Sequence, residues 1–161
     1  MSLSLIAQES PKEEDFFKIL KVPAPEGTLL EVGGLTMLPN GNLGVATRRG
    51  DVFIVENPTA QRPYFRKFAS GLHEILGLAH HEGSLYMVQR GELTKLTDLN
   101  SDGKADWYET IASWPLSAHY HEYSFGPKIT PDGAFIVTTN VPLAIRNGGE
   151  ERVGFPTEVG P

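Results

Sequence analysis

The 161-residue chain has no cysteine. This absence excludes a disulfide scaffold, a cysteine zinc site, haem attachment through C-x-x-C-H and a cysteine nucleophile. The chain also has no apolar run close to the roughly 20 residues of a transmembrane helix, so the sequence predicts no membrane-spanning helix. Acidic residues outnumber basic ones, 20 against 14, and the net charge is −6. Since nucleic-acid phosphates require a basic protein face, we expect no nucleic-acid partner.

The motifs of several common enzyme classes are absent as well. There is no G-x-S-x-G nucleophile elbow, no P-loop, no H-E-x-x-H metal motif and no dinucleotide-binding fingerprint. Glycine and proline are abundant instead, with 17 and 12 residues. Both residue types favour turns, so their number indicates many short strands joined by tight turns.

A unit of an apolar strand, a tight turn containing Gly and a second apolar strand occurs three times. Its copies begin at Gly34, Gly77 and Gly126. The first two copies continue alike, into Arg49-Gly-Asp-Val and Arg90-Gly-Glu-Leu. The leading glycines are 43 and 49 residues apart, which is the size of a four-stranded β-propeller blade with one insertion.

The repeat predicts an all-β protein, with about three four-stranded antiparallel blades of an incomplete, six-bladed β-propeller. Residues 1–30 are predicted to form an N-terminal arm that leads into the first strand. Residues 31–161 are predicted to form the partial propeller, with blades near 34–70, 77–114 and 126–161.

The third of these blades is predicted to be incomplete. Strand alternation ends at Asn140, and we expect the third strand of this blade after Pro161. A closed propeller needs about four to eight blades. We therefore favour a fragment of a longer propeller over assembly from several chains. The unpaired last blade predicts self-association through its open sheet edge.

Propeller topology also predicts which loops share a face. The turns between second and third strands lie on one face with the links between blades, and we call this the link face. It receives Arg49, Arg90, the link 71–76 and the link 115–125, whereas the opposite face receives the insertion 98–109. Propeller ligands usually bind around the channel mouth, so we expect the functional site on the link face.

The insertion 98–109 matches the twelve-residue calcium loop D-x-[DN]-x-[DN]-G-x5-E. Gly103 permits its sharp turn, and hard oxygen donors in this number suit Ca²⁺ better than Mg²⁺. The alternative is a solvated acidic turn between two strands. Because the loop lies away from the expected site, we predict a structural ion. Its predicted ligands are Asp98, Asn100, Asp102, the carbonyl of Lys104, Asp106 and Glu109.

The link 115–125 contains the candidates for proton transfer. His119 and His121, together with Glu122, form a candidate metal site or hold a general base, since an imidazole of pKa about 6.5 accepts a proton at physiological pH. The alternative is that each histidine bonds a backbone carbonyl. The pair His73-Glu74 occupies the corresponding link of the preceding blade.

Arg49 and Arg90 occupy equivalent turns and are candidates for binding an anionic ligand through bidentate guanidinium contacts. Their alternative role is to stabilise the turns. Together with His119 on the same face, they form the predicted cofactor-binding set.

Four segments carry a resemblance to a known family: residues 45–52 (VATRRGDV), 71–79 (GLHEILGLA), 98–106 (DLNSDGKAD) and the run from His121 to Gly133. On these segments the chain resembles the glucose/sorbosone dehydrogenase family, over roughly residues 30–140. The resemblance implies an exported six-bladed propeller, and many members use pyrroloquinoline quinone (PQQ) together with calcium.

The resemblance also implies roles for single residues. His121 matches the family's base, a His followed by Gly126 and then Pro131-Asp-Gly. In the family this base takes a proton from the C1 hydroxyl of a sugar as hydride passes to the quinone. Arg49 corresponds only loosely to an arginine in an early turn of the family.

Two functions are therefore predicted. The first is a fragment of an exported, periplasmic or secreted, PQQ-dependent sugar or aldose dehydrogenase. The end of the segment Met1-Ser-Leu-Ser-Leu-Ile-Ala-Gln8 resembles the tail of a signal peptide, and a cloning leader is the alternative. The second function is a non-catalytic, calcium-stabilised propeller module that binds a glycan or a protein partner. Hydrolase or lactonase chemistry on a calcium-dependent propeller is a third alternative.

Overall fold

The computed structural model describes residues 10–115 and 123–139, and the backbone of residues 157–159. Within these parts, no helix is long and apolar enough to cross a membrane. They contain a short 3-10 helix at Glu13–Asp15 and eleven strands. The strands are β1 (Val32–Met37), β2 (Leu43–Thr47), β3 (Val52–Glu56), β4 (Tyr64–Ala69), β5 (Leu78–His81), β6 (Ser84–Val88), β7 (Glu92–Thr97), β8 (Trp107–Ser113), β9 (Ser124–Ile129), β10 (Phe135–Thr139) and β11 (Thr157–Val159).

The strands form three antiparallel sheets, each made from strands that follow one another in sequence. Sheet I has the order β1-β2-β3-β4, sheet II has the order β5-β6-β7-β8, and sheet III has the order β11-β10-β9. Tight turns allow this order, as at Gly41, whose φ of 82° lies in the left-handed region that glycine adopts readily. The prediction of an all-β protein with antiparallel sheets is confirmed, and the arrangement is consistent with part of a β-propeller.

Sheet III corrects one prediction. Its third strand was expected after Pro161, but β11 lies at Thr157–Val159 and pairs with β10. The register places Val137 opposite Thr157 and Phe135 opposite Val159. Three residues are too few to show strand alternation, so this strand is defined by its partner β10 and not by its own sequence.

The three glycines that begin the repeats lie where neighbouring sheets contact each other through their backbones. A Cβ atom added at Gly34 would lie 2.6 Å from the carbonyl carbon of Gly77. A Cβ atom added at Gly77 would overlap the carbonyl oxygen of Gly126. The first strands of the three sheets therefore converge, and the first two copies of the repeat begin with glycine because a side chain has no room at Gly34 or Gly77.

Two apolar cores hold the three sheets together. One lies between sheets I and II, and the other lies between sheets II and III. The periodicity of two along each strand sends alternate residues into different cores. The first core includes Ala46, Val52, Ile54 and Ala69 against Leu78, Leu85, Met87 and Leu96, and the second includes Phe135 and Val137 against Tyr86, Val88 and Leu93.

The N-terminal arm covers part of the remaining face of sheet I. Val22 and Leu30 of the arm pack against a third apolar cluster, which includes Val45. On the same face of the sheet, Leu35 and Met37 of β1 are exposed. An apolar strip of sheet I thus faces solvent beside the arm, on the side away from sheet II.

Candidate functional site on the link face

The structure brings the loops of the predicted link face together. The turn after β2 carries Arg49, and the turn after β6 carries Arg90. The link before β5 is bonded to the first turn, since Leu72 N donates to Gly50 O at 3.1 Å, and to the end of β6, since Leu76 N donates to Val88 O at 3.2 Å. These loops form one continuous surface above sheets I and II.

Four ion pairs between arginines and glutamates cross this surface. Arg49 Nε lies 3.3 Å from Glu31 Oε2, and Arg48 Nε lies 3.9 Å from the same oxygen. Arg48 Nη1 also lies 3.5 Å from Glu74 Oε1, and Arg90 Nη1 lies 3.2 Å from Glu74 Oε2. We call these five residues the charge ladder. Its three arginines and two glutamates leave one net positive charge, because most of the charges neutralise one another.

The two glutamates of the ladder occupy equivalent positions in the repeat. Glu31 stands three residues before Gly34, and Glu74 stands three residues before Gly77. Their φ angles are 46° and 47°, in the left-handed region that non-glycine residues rarely adopt. Such a backbone costs on the order of 1–3 kcal/mol and occurs often at functional sites. The same strained geometry at both positions places each carboxylate beside the arginine of its own repeat.

Arg90 is the most enclosed arginine of the ladder, with 16% of its side chain exposed. Its guanidinium lies over the ring of Tyr123, 5.1 Å from the ring centroid. Its backbone carbonyl accepts hydrogen bonds from Trp114 Nε1 and from the Ser124 hydroxyl, each at 2.9 Å. Arg90 therefore contacts Trp114, directly before the link 115–125, and Tyr123 and Ser124 near the end of that link.

Arg49 and His73 are the more accessible cationic or basic groups of this surface. Each has 57% of its side chain exposed. The His73 ring nitrogen Nε2 lies 3.7 Å from Glu74 Oε2, beyond hydrogen-bond distance. His119, His121 and Glu122 lie outside the described residues.

On the opposite face, carboxylate side chains of the insertion 98–109 accept hydrogen bonds from backbone N–H groups of the same insertion. Asp98 Oδ2 accepts a hydrogen bond from Gly103 N at 2.8 Å, and Asp102 Oδ1 accepts one from Lys104 N at 2.9 Å. Asp106 Oδ2 accepts from Leu99 N at 2.9 Å. These are the bonds by which a tight acidic turn satisfies its backbone donors.

One oxygen of the insertion is not satisfied in this way. Asp98 Oδ1 is buried and has no hydrogen-bond partner in the part of the chain that the structure describes. Among the described residues, no group of three or more His, Asp or Glu side chains is close enough to hold a metal ion. Glu109, the predicted last ligand, lies on β8 with Oε2 3.8 Å from Lys95 Nζ. Asp98, Asp102 and Asp106 thus lie in the insertion loop, whereas the carboxylate of Glu109 pairs with Lys95.

The insertion is fastened to sheet I. Ala105 N donates to Phe68 O of β4 at 2.8 Å. Arg66 of β4 donates through Nη1 to the Gly103 carbonyl and pairs through Nε with Glu56 at 3.0 Å. A cavity of about 340 Å³ lies beside this contact, with Asp98 and Arg66 in its wall. The insertion therefore bridges sheets I and II on this face.

The turn of sheet III also carries an acidic side chain. The Thr130 hydroxyl donates to Asp132 Oδ1. This hydrogen bond is the main reason that the pKa of Asp132 lies below its usual value, because it favours the charged carboxylate.

Sequence reasoning missed Glu31, Trp114 and Ser124 as parts of the candidate site. For Glu31 a signal was present, since the spacing Glu-x-x-Gly occurs before both Gly34 and Gly77. For Trp114 and Ser124 there was none, because their partner is a backbone carbonyl from another part of the chain.

No protein-family model matches the chain, and no curated protein matches it. Among solved structures, it is similar to a chain from Thermus thermophilus named "putative oxidoreductase (glucose dehydrogenase)". The TM-score is 0.57 and the identity is 24%, over 69% of this chain and 37% of that one. At this identity the likeness shows the fold alone. The chain spans well under half the length of that structure.

Proposed function

We propose that the chain is the N-terminal part of a β-propeller dehydrogenase that oxidises a sugar or aldose. The observation that carries this proposal is the fold likeness to the chain named as a glucose dehydrogenase. That likeness covers most of this chain and little more than a third of the other. The exposed apolar strip at Leu35 and Met37 also supports further blades, since a closed ring would pack another sheet there.

The proposed reaction is hydride transfer from a sugar carbon, with His121 as the base. A bound quinone such as PQQ would supply the acceptor for the hydride. An imidazole nitrogen of His121 would take the hydroxyl proton, a role that rests on the family resemblance. Arg49 fits an anionic cofactor better than Arg90 does, because its side chain is 57% exposed and Arg90 is enclosed. His119 stays a candidate for contacting the cofactor.

We further propose that the insertion 98–109 binds a structural calcium ion. The buried Asp98 Oδ1 supports this, since a cation would satisfy an oxygen that no described donor reaches. Asn100, Asp102, the carbonyl of Lys104 and Asp106 would complete the loop ligands, and Glu109 would have to leave Lys95 to join them. The ion would lie on the face away from Arg49.

Titration of the intact protein with PQQ by calorimetry tests the dehydrogenase proposal, first with calcium and then with a chelator. We expect saturable binding in calcium, and a sugar oxidation activity that His121→Ala abolishes. His80→Ala is the matched control, because His80 lies on the opposite face beside the cavity. Absence of PQQ binding to folded, calcium-loaded protein would overturn the proposal.

The non-catalytic alternative is favoured by one observation. The arginines of the charge ladder form ion pairs with Glu31 and Glu74. An anionic cofactor would have to compete with these two carboxylates for the same guanidinium groups. A propeller of this kind would bind a glycan or a protein without chemistry. Glycan-array binding by protein that fails to bind PQQ would favour this alternative.

Export to the periplasm or to the medium is part of the proposal. Fractionation of cells that express the whole gene would test it, and protein found only in the cytoplasmic fraction would contradict it.

A further inference from the structure

One position of the repeat is buried in sheet II and exposed in sheet I. Leu35 and Leu78 each follow the leading glycine of their repeat. Leu78 is 7% exposed and belongs to the core between sheets I and II, whereas Leu35 is 57% exposed. Met37, on the same face of β1, is 60% exposed. We call the face of sheet I that is turned away from sheet II the outer face. In the described part of the chain, no sheet covers Leu35 and Met37 on this face.

The N-terminal arm covers a different part of the outer face. Val45 is the partner of Leu35 across β1 and β2, and Met87 occupies the equivalent position in sheet II. Met87 lies in the core that sheets I and II share, whereas Val45 lies in the cluster against which Val22 and Leu30 of the arm pack. The arm therefore occupies space in which a neighbouring sheet packs directly at the junction of sheets I and II.

The arm also exposes an apolar side chain of its own. Leu30 packs against the outer face, while its neighbour Leu29 is 63% exposed. Apolar residues at adjacent positions of an extended segment are typical of a segment that is covered on both sides. We call Leu29, Leu35 and Met37 the docking strip. Burial of this strip under another layer is favourable, because it removes apolar surface from water.

The repeat and the similar solved structure indicate what covers the docking strip. The match covers 69% of this chain and 37% of the other one, so most of that structure lies outside the match. Sheet I covers Leu78 with a face of small and β-branched residues, which are Ala46, Val52, Ile54 and Ala69. A further sheet of the same repeat presents an apolar face of this kind, which is complementary to the uncharged docking strip.

We propose that a further four-stranded sheet of the same protein docks on the outer face of sheet I and holds the N-terminal arm between the two sheets. This proposal rests on the proposed function in one respect, that the chain is part of a longer propeller. The docked sheet packs directly on Leu35 and Met37 and contacts Leu29 of the arm. The junction differs from that of sheets I and II, where the two sheets pack on each other without an intervening segment.

Cysteine labelling of the intact, full-length protein tests the docking. The 161 residues contain no cysteine, so an introduced thiol can be followed by mass spectrometry of its own peptide. We expect Met37→Cys and Leu29→Cys to react with N-ethylmaleimide at least about 100-fold more slowly than Leu99→Cys, because a covered thiol reacts only when the structure opens locally. Leu99 is the matched control, since it is 67% exposed on the insertion of the opposite face.

Three outcomes of the labelling would contradict the proposal. Equal rates at Met37 and Leu99 in folded protein would overturn the docked sheet. Protection of Met37 together with a fully reactive Leu29 would overturn the place of the arm. Protection that disappears on dilution, together with a dimer seen by light scattering, would show that a second copy of the chain covers the strip.

Stability of the intact protein gives an independent readout. Leu35→Lys should lower the urea midpoint, because a charged group is costly to bury between two sheets, whereas Leu99→Lys should leave it unchanged. An unchanged midpoint for both variants would contradict the docking, and if Leu35→Lys does not fold, the labelling of Met37→Cys decides. Failure of the dehydrogenase proposal is distinguishable, since protein that binds no PQQ would still protect Met37.

Discussion

On the link face, sheets I and II are connected through charged side chains, whereas on the opposite face they are connected through one insertion that folds on itself. Arg48 joins the two sheets by pairing with Glu74 at 3.5 Å. The insertion joins them through the backbone bond from Ala105 to Phe68 and through Arg66. The two faces of the same repeat therefore differ in the interactions that they offer to a ligand. One face offers partly exposed charges to a ligand, and the other offers a buried carboxylate oxygen to a cation.

The largest effect is expected where sheet II meets sheet III, because Gly77 lies in close contact with Gly126 of β9. Gly77→Ala places a Cβ atom on the Gly126 carbonyl oxygen, so the sheets must separate. We expect a loss of about 4 kcal/mol or more in the free energy of unfolding, measured by urea denaturation.

The control for this substitution is Gly83→Ala. Gly83 has a φ of 80° but open space around its Cβ position, so the loss should be about 1 kcal/mol, from backbone strain alone. Equal losses for the two variants would show that the contact between Gly77 and Gly126 is not what requires glycine.

Calcium should stabilise the protein by binding to the insertion on the opposite face, and not by binding to the link face. At a free calcium concentration 100 times Kd, we expect stabilisation by about 2.7 kcal/mol, which raises Tm by roughly 5–10 °C for a chain of this size. Asp98→Asn should remove most of this shift in differential scanning fluorimetry, and Asp132→Asn, in the turn of sheet III, should retain it. A Tm in calcium equal to that in chelator would exclude a calcium ion in the insertion.

Arg66 and Lys67 are neighbours on β4, and both form ion pairs. Only Arg66 also bonds the insertion, so the two residues can be compared directly. Arg66→Ala leaves the Gly103 carbonyl without its donor and Glu56 without its partner, so we expect a loss of about 1–3 kcal/mol by urea denaturation. Lys67 is 53% exposed and pairs with Asp51 at 3.0 Å. Lys67→Ala should cost about 1 kcal/mol or less. A larger loss for Lys67→Ala would contradict the idea that Arg66 fastens the insertion to sheet I.

The smallest effect concerns Asp132. Its pKa is lowered mainly by the Thr130 hydroxyl, so its carboxylate contributes stability above the pKa of the unfolded chain and loses this contribution as the pH falls through the folded pKa. Thr130→Val should raise the pKa of Asp132 toward its usual value, as followed by NMR titration. An unchanged pKa would show that the hydroxyl is not the cause.

Much of the fold could be predicted from the sequence, because strands and turns depend on nearby residues. The tight turns at Gly41 and Gly83, and the strands on either side of them, follow from local alternation and the need for positive φ. β11 could not be predicted, since three residues carry no alternation and the edge of β10 defines the strand.

The candidate site could be predicted in part. Arg49 and Arg90 were found because the repeat places them in equivalent turns. The difference between them was not predictable, since Arg90 is enclosed by Tyr123 and Glu74, which lie 33 and 16 residues away along the chain. Asp98 was found by its motif, but the burial of its second oxygen appears only when the neighbouring loop is folded around it.

The sequence by itself determined the repeat, the antiparallel sheets and the sorting of loops onto two faces, because these follow from spacings of a few residues. Only the tertiary structure decided which charges neutralise one another and that Trp114 and Ser124 meet on the carbonyl of Arg90. The physical reason is that such contacts depend on how closely the sheets pack. The distance between sheets is set by glycines such as Gly77, and it acts on residues far apart in sequence.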